Sequence, residues 1–146
     1  MTRLIAHDDL AALDMIAAAG FDPWGPPATI GADIAESFAQ VSGARPAGGE
    51  TLHGYLVLSL ISRLVPLPDW AVSGHSGVLN LGCPTVRFPA TAPVGAALQG
   101  RRRLCSARQH PRGTLITLEF EVRETGAQGP CMIAQNDLLY LAGQAR

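Results

Sequence analysis

The segment "LHGYLVLSLISRL", Leu52 to Leu64, constrains this chain more than any other. At helical spacing Leu52, Tyr55, Leu56, Val57, Leu58, Leu60, Ile61 and Leu64 fall on nearly every side. A helix with no wet face has to be enclosed by something else. The run is too short to cross a bilayer and Pro66 stops it, so the enclosure has to be protein. Thr51 stands where an N-cap is expected.

Material for that enclosure follows directly. "SGVLNLGCPTVRFP" is bounded by Gly and Pro, and "AALQGRRRLCSARQ" comes after the Pro93-Val94-Gly95 turn. "TLITLEFEVRE" alternates, with Ile116, Leu118, Phe120 and Val122 on one side and Thr117, Glu119, Glu121 and Arg123 on the other. "CMIAQNDLLYLA" comes after the "TGAQGP" turn. Long strands joined by short turns make an antiparallel sheet, and a sheet curved around one buried helix is an α+β architecture. Upstream, residues 8–19 read as a short extra helix, with Leu10, Leu13, Ile16 and Ala17 on one face and Gly20 as the stop. The prolines of "FDPWGPPATI" impose an extended run. "GADIAESFAQVSG" reads as a second helix with Ile34, Phe38 and Val41 on one face and Gly43 as its C-cap.

At 146 residues the chain reads as one domain, residues 1–146. Hydrophobic residues make up 47% and charged residues 16%, a balance that suits a subunit with a buried partner surface. A net charge of −1 gives no field that would favour nucleic acid or an anionic membrane. Cys83, Cys105 and Cys131 are odd in number and far apart, with no metal-ligand spacing. They read as reduced thiols in a cytoplasm. Asp8, Asp9 and Asp14 interrupt the apolar residues near the start, which is not a signal-peptide layout. The expectation is a soluble, cytoplasmic protein.

"LHGYLVLSLISRL" followed by "NLGCPTVRFPATAPVGAALQGRRRL" resembles the MaoC-like hydratase/dehydratases, and especially their NodN-like branch. That branch carries an Ala-His-Gly-[Phe/Tyr]-Leu-x-Leu-Ser-Leu helix, then a Tyr-Gly-x-x-x-Val-Arg-Phe-Pro-x-Pro-Val-x-x-Gly strand and turn. The resemblance covers most of Asp22 to Tyr140. It implies a hotdog fold, a long central helix wrapped by an antiparallel sheet, assembled as a homodimer or as a heterodimer with another hotdog chain. It also implies an acyl-thioester substrate on coenzyme A or a carrier protein, with water added to or removed from the 2-enoyl double bond and no separate cofactor.

The same resemblance marks what is missing. The family's motif after the first helix is Ser/Thr-Gly-Asp-x-Asn-Pro-x-His. Ser42 and Gly43 match, Ala44 replaces the catalytic aspartate, and the histidine has no counterpart in a segment shorter by about a dozen residues. Gly54 matches the position whose N–H faces the thioester oxygen, Ser62 matches a serine lining the same pocket, and Tyr55 lies beside them. His53 and Glu50 are the candidate replacement acid and base, against the plainer readings of a local hydrogen bond and a helix-dipole acid. Arg101 and Arg103 share a strand face and offer coenzyme A phosphates two cations, against plain surface solvation. Two functions follow. One is a lyase with a non-standard acid/base group; the other is a non-catalytic hotdog subunit paired with an active MaoC-like chain.

Overall fold

The structure, a computed structural model, describes residues 1–45 and 48–143. In chain order the elements are β1 (Arg3–Ala6), α1 (Leu10–Ala19), β2 (Ala28–Thr29), α2 (Ala32–Ser42), α3 (Gly54–Ser59), α4 (Ile61–Leu64), β3 (Trp70–Ser73), β4 (His75–Arg87), β5 (Ala97–His110), β6 (Gly113–Glu124) and β7 (Met132–Ala142). Five strands form one antiparallel sheet in the order β2-β5-β6-β7-β4. The four long strands fall where the alternation and turns place them.

Alternation along β6 sorts the two faces. Ile116, Leu118, Phe120 and Val122 face the core, where Leu98 and Leu104 of β5 and Met132 and Ala134 of β7 join them. Leu52, Leu56, Val57 and Leu64 of the central segment pack against this face, with Leu13 of α1. The end of the central segment sits on a glycine floor. A Cβ on Gly100 would lie 2.7 Å from Val65, and one on Gly25 would lie 2.5 Å from the Leu64 carbonyl oxygen. Among the described residues no helix is long and apolar enough to cross a membrane.

The central rod differs from the expected single helix over Leu52–Leu64. It begins at Gly54 and is interrupted at Leu60, whose ψ is 0°. The Ser59 hydroxyl donates to the Leu56 carbonyl at 2.7 Å, and the Leu60 N–H is shared between the Leu56 and Val57 carbonyls. A side chain competing for a helical carbonyl tightens the turn and breaks the regular pattern. Nor is the rod enclosed all round by its own chain, because Tyr55, Ser59 and Ser62 are exposed. Thr51 is not the N-cap; it forms an isolated bridge with Pro93, and the cap is His53.

The second helix ends as expected at Gly43, with φ +73° and its N–H on the Ala39 carbonyl. Its inward face is shifted, however, since Ala39 is buried while Val41 is exposed. The sequence reading omitted β1 and β3, which pair in parallel at Arg3–Ala6 and Trp70–Ser73.

The two sheet edges are treated differently. Along β5 the proline-rich segment is laid down irregularly, with Asp22 N–H donating to Arg102 O and Gly25 N–H donating to Gly100 O. Pro23, Pro26 and Pro27 have no N–H to extend the ladder further. At the opposite edge β4 runs for 13 residues, and Val78, Leu79 and Leu81 are exposed.

Candidate active site at the start of the central helix

Residues Glu50 to Leu52 run against Ala92 to Val94, with Leu52 N–H donating to Ala92 O and Val94 N–H donating to Glu50 O. This short ladder fixes where the chain turns into α3. His53 is extended (φ −64°, ψ 136°), and its Nδ1 accepts the Tyr55 N–H at 3.0 Å. The Gly54 N–H has no hydrogen-bond partner among the described residues.

A cavity of about 260 Å³ opens at this point. Leu52, His53, Gly54, Tyr55, Val57, Phe88 and Cys131 line it, together with Ala90 to Ala92. Phe88 comes down on Gly54 closely: a Cβ at residue 54 would meet three ring carbons at 2.8, 2.9 and 3.0 Å. Glycine at residue 54 is what lets the half-exposed Phe88 ring lie against the helix start; a side chain there would push the ring aside. Burial pushes the Cys131 thiol up from its ordinary value, so it forms a neutral wall. Its Sγ–H donates to Val122 O at 3.4 Å.

A second cavity, about 310 Å³, lies on the other side of His53. Its floor includes Ala35, Phe38, Ala39 and Leu56, and its rim includes Ala44, Arg45 and Glu36. Arg45 and Glu36 form a two-bond ion pair at 2.8 Å, which holds the Glu36 carboxyl below its usual range through hydrogen bonding and charge. His53 belongs to both walls, its ring between Phe38 and Tyr55 at centroid distances of 5.4 and 5.3 Å.

The sequence candidates separate on this geometry. Gly54, Tyr55 and His53 line the first cavity together, with Tyr55 63% exposed at its mouth. Glu50 is exposed and lines neither cavity, and no hydrogen bond or ion pair joins it to His53 among the described residues. Ser62 is exposed on α4 and also lines neither. Ala44 lines the second cavity, where it supplies a methyl group and no acid. Pro46 and Ala47 lie outside the described residues. Among the described residues no cluster of His, Cys, Asp or Glu is arranged for a metal ion.

Arg101 and Arg103 do share the outer face, but their charges are taken. Arg101 pairs with Glu121 at 2.6 Å and Arg103 with Glu119 at 2.8 Å, each directly across the β5–β6 ladder. Both guanidinium groups also lie over the Phe21 ring, and Arg101 lies over Trp24 as well. Asp137 faces the same way and accepts the Thr117 hydroxyl at 2.7 Å.

Phe88 and Cys131 were missed as site residues. Phe88 sits in the quoted "TVRFP" stretch, but its contact with Gly54 spans 34 positions and depends on where β4 ends. No local pattern carries that information.

The fold has many solved relatives. The ChsH1-ChsH2 complex from Mycobacterium tuberculosis superposes with a TM-score of 0.68 at 13% identity, covering 92% of this chain and 96% of that one. An (R)-hydratase from A. caviae involved in PHA biosynthesis gives 0.54 at 20% identity, covering 81% of this chain and 96% of that one. A MaoC-like dehydratase from Rhodospirillum rubrum gives 0.57 at 12% identity, covering 81% and 89%. In sequence, 3-hydroxyacyl-thioester dehydratase Z of Mycobacterium tuberculosis is 31% identical over 100 residues. The chain has the hotdog fold. The aligned part is 68% of this chain and 66% of that dehydratase's length, just under two thirds of it. No protein-family model matches it.

Proposed function

We propose that the Gly54 cavity receives the carbonyl end of an acyl thioester, and that this chain is the binding half of a 2-enoyl-thioester hydratase/dehydratase. The acid and base come from a second hotdog chain. The observation that supports this reading is the contrast across His53: a lined cavity at Gly54 on one side, and on the other a cavity with Ala44 in its wall, whose carboxylate, Glu36, is paired with Arg45.

In hydration, water oxygen bonds to C3 of the enoyl group while the double-bond electrons move toward the thioester oxygen. A proton is then delivered to C2. The Gly54 N–H is a donor for the oxygen that gains charge. The reaction also needs a group to take the proton from water and one to protonate C2. His53 and Glu50 do not meet, and the His53 Nδ1 lone pair is already used by the Tyr55 N–H.

The open edge supports a partner as the source. From His75 to Val86 β4 carries no Asp, Glu, Lys or Arg; register shifts and Pro84 break it beyond Asn80, so the regular stretch open to another strand is Gly77 to Asn80, with Val78 and Leu79 exposed. Phe88 follows β4 immediately, so a chain added along this edge arrives beside the Gly54 cavity. The ChsH1-ChsH2 complex, one chain of which superposes on this one, is an assembly of two components. Residues 1–146 are read as a single MaoC-like hotdog domain with β1 and α1 as an N-terminal extension. The "TVRFP" motif favours the NodN-like branch. The substrate's coenzyme A or carrier protein is part of the substrate, with no further cofactor.

The test is to titrate the purified chain with short-, medium- and long-chain trans-2-enoyl-CoA in a calorimeter while following enoyl absorbance. Saturable binding without turnover is the expected result. Absence of binding to every chain length overturns the thioester reading, and turnover at enzyme rates by the chain alone overturns the division of labour.

A further inference from the structure

The His53 ring has one nitrogen with a settled role. Nδ1 accepts the Tyr55 N–H at 3.0 Å, so Nδ1 carries no proton. A neutral imidazole holds one proton on its two nitrogens, and here it must be on Nε2. In that tautomer the ring has no lone pair left for a base. What it offers instead is an N–H, on the side of the ring away from the backbone it caps. That N–H has no partner among the described residues.

The position of the ring gives the donor a use. His53 is a wall of both the cavity at Gly54 and the cavity at Ala44, and tilted contacts with the Phe38 and Tyr55 rings, at interplanar angles of 40° and 59°, flank it. A group held at both ends, by a hydrogen bond at Nδ1 and by aromatic neighbours, presents Nε2–H in one orientation without further ordering cost. We infer that His53 is a substrate-binding hydrogen-bond donor, holding the acyl thioester through Nε2–H where the two cavities meet, and that it does not act as a base. This rests on the thioester reading of the Gly54 cavity.

Three substitutions separate the donor from the cap. Asn at residue 53 can accept the Tyr55 N–H and still donate; Asp can accept but has no proton to give; Ala does neither. The chain, His53→Asn, His53→Asp and His53→Ala are titrated with the tightest-binding trans-2-enoyl-CoA and with coenzyme A alone, and each is melted thermally. The expected result is that Asn binds enoyl-CoA within about threefold of the parent, whereas Asp and Ala lose about tenfold or more, the scale of one lost hydrogen bond. Asp and Asn should melt close to the parent and Ala below it, while coenzyme A alone binds Asp and parent alike.

Two measurements on the unsubstituted chain stand apart from folding of the variants. Nitrogen-15 histidine spectra should show Nε2 protonated and Nδ1 not. Binding of ¹³C-carbonyl-labelled enoyl-CoA should lower the thioester C=O stretch, with the lowering reduced in His53→Asp. Equal enoyl-CoA affinity in Asp and parent, equal losses in Asn and Asp, or a proton on Nδ1 would each overturn the inference. Failure of the parent to bind any enoyl-CoA removes the thioester reading itself, which is a different result.

Discussion

The two sides of His53 are built to different standards. On the Gly54 side, the Phe88 ring lies against a glycine where a Cβ would displace it, a neutral Cys131 closes the wall, and the Gly54 N–H has no partner among the described residues. On the Ala44 side there are alanines, and the Glu36 carboxylate on the rim is held in an ion pair with Arg45. On the proposed reading, that difference corresponds to a chain that binds a carbonyl and leaves proton transfer to a partner.

The largest effect that breaks the comparison is expected at Gly54. Gly54→Val puts carbon atoms into space that the Phe88 ring occupies within 3.0 Å, and should abolish enoyl-CoA binding, by a hundredfold or more on the scale of an overpacked site (~3 kcal/mol). Calorimetric titration checks this. Pairing Gly54→Val with Phe88→Ala should recover part of the loss, because the two groups compete for one volume. A loss that is unchanged in the double variant would remove Phe88 from the site.

Next in size is the open edge. Leu79→Asp places a charge on β4, where Leu79 is 38% exposed and no Asp, Glu, Lys or Arg stands between His75 and Val86, and should convert an oligomer to a monomer in analytical ultracentrifugation. The same change at the β5 edge should do little, because Pro23, Pro26 and Pro27 already close it. An unaffected oligomer would move the partner surface away from β4.

Smaller still is Ala44→Asp. It returns an acid to the wall of the second cavity but no histidine to work with it, so turnover by the chain alone should remain undetectable in the absorbance assay. The smallest effects belong to the surface. Glu50→Ala should leave enoyl-CoA affinity unchanged, since Glu50 lines neither cavity. Breaking the exposed Glu36–Arg45 pair with Arg45→Ala should barely move the melting temperature. Because Arg45 lowers the Glu36 pKa, whatever the pair contributes is present above the ordinary carboxylate value of 4.5 and fades as pH falls below it.

Much of the fold was legible because its signals are local. The alternation in "TLITLEFEVRE" places β6, and Gly43 ends α2 by the left-handed conformation that glycine reaches at low cost. The parallel β1–β3 pair was not legible, since four-residue strands such as "RLIA" carry no usable alternation. The break at Leu60 depends on where one serine hydroxyl points, and the cap at His53 on one ring nitrogen. At the site, the position of Gly54 came from a resemblance to a family and that of Phe88 from tertiary packing alone. Glu50 and His53 are three residues apart, yet the turn between them sends one to solvent and the other into a wall.

The central claim is that the cradle is here and the reagents are elsewhere. It is tested most directly by mixing this chain with a hotdog chain that carries the Asp and His, then following hydration of trans-2-enoyl-CoA with Gly54→Val introduced only into this chain. The expected result is activity in the mixture, none from this chain alone, and loss of the mixture's activity with the substitution. Full activity from a mixture containing Gly54→Val, or turnover by this chain without a partner, would contradict it.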